Sequence, residues 1–281
     1  MHVPTHRRAR PSPGPAGRAV AVVAALAFAM VGCSSDDSEA SSGSSANPTT
    51  TTGSSATGAV TVSAAASLTE AFTTIKDDFT KANPKASVTI NFGSSGQLAT
   101  QIRSGAPADV AAFADQAPMA TLGDANLLAA PARVFARNQL TIVTKPGNPR
   151  GIKGLADLAT AGTISLCAQT APCGKFADQA LQSAGLTIPT GSVTRGPDVK
   201  ATLSAVTEGD ADAAIVYVTD ATVAGKAVGT VAIPEAHNVV ASYPIAVIKA
   251  SDNPKAAQAF EDWVLGPEGQ AVLRAAGFMA P

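Results

Sequence analysis

The sequence predicts an α/β protein with a mostly parallel sheet, and three observations carry that reading. From Ala59 onward, short runs rich in β-branched residues alternate with stretches whose apolar residues recur at helical spacing. Twice, a strand-like run passes into a helical stripe through small residues: Ala64-Ala65-Ala66-Ser67 follows Val60-Thr61-Val62-Ser63, and Gly93-Ser94-Ser95-Gly96 follows Val88-Thr89-Ile90-Asn91-Phe92. No solenoid-type repeat interrupts the alternation.

In chain order, the first 32 residues carry Arg7, Arg8, Arg10 and Arg18 and no acid, and Ala19 to Val31 is an unbroken apolar run. That run is too short to span a bilayer comfortably and ends in small residues, so residues 1–32 read as an export signal. Val31-Gly32-Cys33 resembles a lipobox, with Met30 where Leu is usual, so Cys33 is expected to become a lipidated N-terminus. From Ser34 to Gly58 the chain offers no large apolar side chain to bury and reads as a flexible tether, giving a segment 33–58 of lipidated Cys and linker. The whole chain of 281 residues has a net charge of −1, but without the first 32 it carries about −5. A mildly acidic mature chain argues against nucleic acid as a partner.

Beyond the linker, strands are expected at 60–63, 87–92, 109–113, 139–144, 163–167, 192–194, 213–217, 230–233 and 244–248. Helical stripes fall at 68–82, where Leu68, Phe72, Ile75 and Phe79 share a face, and at 97–104, 116–122, 174–184, 198–208 and 254–265. No stretch after the signal reaches transmembrane length.

The strand-to-helix turns are where chemistry can sit. Ser67 with Glu70 three residues on matches a capping box. A helix start, with free N–H groups and the positive end of the dipole, also suits an anion. In the second half Pro172 fits a first helical position, Gly174 leaves the backbone accessible, and Asp198 is a plausible N-cap directed at its own helix. Cys167 and Cys173, with five residues between them and only His237 left beyond the signal, make a poor metal site, so no cation is expected. In an exported chain they are expected to form a disulfide. A serine hydrolase using Ser67 or Ser95 is the enzyme alternative; it lacks a Gly-x-Ser-x-Gly elbow, and His237 stands in a loop-like segment.

Taken in order, Ala64-Ala65-Ala66-Ser67-Leu68-Thr69, Phe92-Gly93-Ser94-Ser95-Gly96, Gly105-Ala106-Pro107-Ala108-Asp109-Val110, Ile215-Val216-Tyr217-Val218-Thr219-Asp220-Ala221 and Tyr243-Pro244-Ile245-Ala246-Val247 resemble the molybdate-binding proteins that serve ABC importers. The resemblance covers residues 59 to 281 and implies a two-lobed periplasmic binding protein fold of type II, with the ligand cleft between lobes. Residues 59–138 plus 243–281 would form lobe 1 and 139–242 lobe 2, with crossovers at 138–145 and 239–245. It implies ligand contacts from Ser67 and Ser95 through hydroxyl and N–H, from Cys173 and Val199 through backbone N–H, and from the Tyr217 phenol. The implied ligand is molybdate or tungstate, with sulfate and phosphate as runners-up, and no cofactor. The implied partners are an ABC importer permease and, through the lipid anchor, the extracytoplasmic face of the cell membrane; a monomer is expected. The implied shell holds no group expected to titrate between pH 6 and 8.

Overall fold

A computed structural model describes residues 56–281; the export signal, Cys33 and the linker through residue 55 lie outside the described residues. The first lobe opens with β1 (Thr57–Ala65), a 3-10 turn (Ala66–Leu68), α1 (Thr69–Ala82), β2 (Lys85–Gly93), α2 (Ser95–Arg103), β3 (Val110–Ala112) and α3 (Gln116–Asp124). The long β4 (Arg133–Thr144) then leads into β5 (Ile164–Cys167), α4 (Pro172–Ser183), β6 (Val193–Gly196), α5 (Val199–Thr207), β7 (Ala213–Tyr217), α6 (Val218–Ala224) and β8 (Gly229–Ala232). The chain returns through β9 (Val240–Val247) and ends in α7 (Pro254–Leu265) and α8 (Pro267–Ala275).

β1 begins at Thr57, two residues inside the segment read as linker. Thr57 and Gly58 are exposed, and backbone pairing with Lys85 and Ala86, rather than a side-chain signal, draws them into the sheet.

Strand order is β2-β1-β3-β9-β4-β7-β5-β6, with β8 on the free side of β4. The expectation of a mostly parallel sheet needs correcting. β1 runs parallel to β2 and β3, and β5 to β6 and β7, but every pairing of β4 and β9 is antiparallel. The reason is topological: these two strands carry the chain between lobes in opposite directions. Up to Gln139, β4 pairs with β9; from Leu140 it pairs with β7 and β8. One strand thus belongs to both lobes and fixes how their sheet edges face each other.

Apolar spacing explains the packing. The α1 stripe of Phe72, Ile75 and Phe79 is buried, and Phe79 and Phe72 meet Phe260 of α7 at ring-centroid distances of 5.3 and 6.2 Å. Each such ring contributes roughly 1.5–3 kcal/mol by burial. A second cluster of Leu98, Ile102, Met119 and Leu122 packs α2 and α3 against Phe113 and Ala246. In the second lobe, Phe176, Ala177, Ala180 and Leu181 of α4 and Val199, Leu203 and Val206 of α5 cover the other strands. Packed in this way, α1, α2, α4 and α5 start at the carboxyl ends of β1, β2, β5 and β6, which they follow in the chain.

Candidate functional site

Four helix starts converge on one small pocket. Its lining is Ala65, Ala66 and Ser67 before α1, Gly93, Ser94 and Ser95 at α2, Ala171, Pro172 and Cys173 at α4, Asp198 and Val199 at α5, with Ala114 and Tyr217 closing it. All five site residues expected from the sequence therefore line a single space of about 210 Å³, mouth included. No Lys or Arg is among the lining residues.

Each donor is held by its element. Pro172 opens α4 and has no N–H to lose; Cys173, next in line, keeps an N–H that has no acceptor within its own helix. Val199 occupies the first position of α5, where the Asp198 side chain turns inward and accepts from the Ala201 N–H at 3.0 Å. That carboxylate caps its helix, as the sequence suggested. Ser67 departs from expectation. It sits within the 3-10 turn, the residue before α1 is Leu68, and no capping box forms. The Ser67 hydroxyl pairs with the Tyr243 hydroxyl at 2.9 Å, while Glu70 reaches Lys200 instead of turning back.

Ser95 accepts from the Ala114 N–H at 3.0 Å, which orients its hydroxyl and leaves its own proton to donate. Ser94, the residue before α2, was missed by sequence reasoning. Its oxygen is buried and has no hydrogen-bond partner among the described residues, like that of Tyr217. Spacing alone did not distinguish the two adjacent serines. Burial pushes the Tyr217 phenol well above its ordinary range and raises Tyr243 too, so both stay protonated and able to donate at neutral pH. Behind the pocket, Asn138 donates to Thr219 at 2.8 Å and to Tyr243 at 3.4 Å, tying the crossover strands to the site.

The pocket is braced and flanked. Cys167 and Cys173 are bonded, with Cα atoms 5.7 Å apart, so the loop ahead of α4 is closed at its base. Gly174 is required there, because a Cβ would lie 2.1 Å from the Ala168 carbonyl oxygen. At the rim, a Cβ on Gly96 of the first lobe would lie 2.5 Å from the Thr170 carbonyl oxygen of the second. Lys175 reaches Asp115 at 2.6 Å, and Lys200 reaches both Glu70 oxygens at 2.7–2.8 Å and Asp220 at 3.1 Å. Asp220 is fully buried, and that burial pushes its carboxyl up to about 6 against the pull of Lys200. It does not line the pocket, but it stands behind Tyr217 as a titrating group that the sequence reading did not anticipate. Burial works against the Lys200 ammonium, yet the Asp220 and Glu70 carboxylates outweigh it and hold its pKa above the usual value.

Compared with known proteins, residues 60–279 match the family described as bacterial extracellular solute-binding protein. The chain belongs to this family. The molybdate-binding protein ModA of Mycobacterium tuberculosis is 38% identical over 224 residues, 79% of this chain and 85% of that protein. Among solved structures, the substrate-binding domain of a molybdenum ABC transporter protein from Clostridium difficile superposes with a TM-score of 0.62 at 31% identity, covering 80% of this chain and all of that one. The sulfate-binding protein SubI of Mycobacterium tuberculosis shares the fold, with a TM-score of 0.71 at 20% identity over 79% of this chain and 86% of its own. Membership makes the chain a solute-binding protein of two-lobed α/β fold and sets the hydrolase alternative aside. No helix among the described residues is long and apolar enough to cross a membrane.

Proposed function

We propose that this solute-binding protein captures molybdate, and tungstate equally well, and delivers it to an ABC importer. One observation carries the reading. Helix starts from both lobes and buried hydroxyls unpaired among the described residues surround a space of about 210 Å³, mouth included, whose lining has no cationic side chain. Within it, the space open to the centre of a water-sized sphere is only about 10 Å³, so the ligand is small. The binding set is Ser67 and Ser95 through hydroxyl and N–H, Cys173 and Val199 through N–H, and Tyr217 through its phenol.

Such a shell consists mainly of donors. A fully deprotonated tetrahedral dianion offers acceptors in every direction and satisfies it. Phosphate near neutral pH carries a proton that needs an acceptor, and the one carboxylate of the lining, Asp198, is engaged with its own helix. A buried polar group left unpaired costs about 1–3 kcal/mol, so phosphate is the weakest ligand. Sulfate has the right charge but is smaller, and leaves donors unmet in a cleft closed to the larger size. The ModA relatives support molybdate over sulfate, since SubI resembles the chain in fold alone.

The division into lobe 1, 59–138 plus 243–281, and lobe 2, 139–242, belongs to this reading. So do removal of residues 1–32, lipidation of Cys33, a tether through residue 58 and a monomer held at the extracytoplasmic face of the cell membrane. Isothermal titration of the mature chain tests the ligand. Molybdate and tungstate should bind comparably, sulfate much more weakly and phosphate least; sulfate or phosphate matching molybdate would refute the assignment.

A further inference from the structure

Two lysines next to the site each hold a carboxylate of the opposite lobe. Lys200 follows Val199 in the first turn of α5 and donates to both oxygens of Glu70, in the first turn of α1. Lys175 stands two residues after Cys173 in α4 and donates to Asp115, the residue that caps α3 and follows the pocket residue Ala114. Each contact spans the cleft, and the two involve different helix starts of the pocket.

The two partners of Lys200 differ in kind. Asp220 lies in its own lobe, is completely buried and is 3.1 Å from the ammonium; Glu70 lies in the other lobe and is 43% exposed. Motion of the lobes separates Lys200 from Glu70 but not from Asp220. The ammonium therefore stays near its buried counter-ion when the cleft opens, already aimed at the carboxylate it will meet. The Lys175 pair is built the other way round: Asp115, 9% exposed and fixed by its bond to the Ala117 N–H at 3.2 Å, is the stationary partner, and Lys175 is the more exposed one.

We infer that Lys200–Glu70 and Lys175–Asp115 form a paired clasp that closes the lobes over the bound anion and sets its release rate, with Asp220 positioning Lys200. The inference rests on the oxyanion reading of the pocket. It assigns these side chains no contact with the ligand. It also explains why two lysines stand one and two residues from the pocket without lining it: their charge is committed across the cleft, leaving the anion to neutral donors.

The test is stopped-flow binding of molybdate to the mature chain and its Glu70→Gln and Asp115→Asn variants, with thermal unfolding of each in the free and bound states. Asn at 115 keeps an acceptor for the α3 cap, and Glu70 is on the surface, so both variants should fold. Each partly exposed charge-assisted contact predicts an off-rate raised roughly two- to tenfold. The on-rate should stay within about twofold, because affinity changes of this kind reside mostly in dissociation. The double variant should show the product of the two effects, as expected for separated sites. Free-state unfolding temperatures should match wild type while the bound-state temperatures fall, a split that a bridge merely stapling the fold would not give. Unchanged off-rates in both variants, or equal falls in free and bound stability, overturn the clasp and leave the anion site standing. Failure of the wild type itself to bind molybdate overturns both.

Discussion

Gly96→Ala pits binding against stability at one atom. The added Cβ would lie 2.5 Å from the Thr170 carbonyl oxygen, whereas ordinary contact begins near 3.4 Å, so the lobes must part by about 0.9 Å at that rim. Thr170 cannot easily step aside, because its loop is closed by the Cys167–Cys173 bond and by the Ala171 N–H bond to the Ala168 carbonyl at 2.8 Å. A displacement of that size stretches a 2.9 Å hydrogen bond to about 3.8 Å, beyond useful range. If two donors of one lobe lose a charged acceptor at about 1.5–3 kcal/mol each, the loss is about 3–6 kcal/mol. That is at least roughly 100-fold in affinity. The free protein should show the opposite trend, since Gly96 lies in the first turn of α2 at negative φ and Ala is the better helix former by up to about 1 kcal/mol. Titration calorimetry with molybdate and thermal unfolding without it read the two effects separately. Wild-type affinity in the variant would show that the rim contact is not needed in the bound state.

Tyr217→Phe removes a buried hydroxyl that has no hydrogen-bond partner among the described residues; affinity should fall roughly 10- to 150-fold with stability unchanged or slightly higher, and a loss of stability without loss of binding would contradict its assignment. Ser95→Ala should weaken binding similarly and also cost about 1 kcal/mol in denaturant unfolding, because the Ala114 N–H loses its acceptor. Reduction of Cys167–Cys173 should lower stability by only about 2 kcal/mol for so short a loop, yet weaken binding more clearly, since the bridge braces the Cys173 N–H; equal ligand affinity before and after reduction would argue against that role. Asp220 titrates near 6 when folded against 3.8 for an ordinary carboxyl, so the folded chain holds that proton more tightly in between and stability falls as pH rises through this window. The cost above it is on the order of 3 kcal/mol. Urea midpoints of Asp220→Asn should lose that segment of the pH curve, and curves parallel to wild type would refute it.

Legibility in the sequence followed locality. β7 and α7 fall where periodicity put them, at 213–217 and 254–265, because their burial patterns repeat within a few residues. α6 was missed because Val218 and Thr219 carry on the β-branched character of β7, and α8 because only Gly266 separates it from α7. β4 starts at Arg133, not 139, since its first half is a strand only by pairing with β9, about a hundred residues away. The same limit applies at the site. The helix starts carrying Ser67, Ser95, Cys173 and Val199 showed as strand-to-helix turns, and the resemblance assigned the residues. The capping box at Ser67 and Glu70 was a correct local pattern with a wrong outcome, because Lys200 supplies Glu70 with a partner 130 residues away. Burial of Asp220 and the clear oxygen of Ser94 arise from packing between elements that no local window contains.

On the proposed reading, one tetrahedral dianion sits among the helix starts of both lobes. A crystal structure of the mature chain grown with molybdate, recorded at the molybdenum edge, tests it most directly. A single anomalous peak is expected between the lobes, with the anion's oxygens within hydrogen-bond reach of the Ser67 and Ser95 hydroxyls, the Cys173 and Val199 N–H groups and the Tyr217 phenol. A peak elsewhere, or none at saturating molybdate, would contradict it.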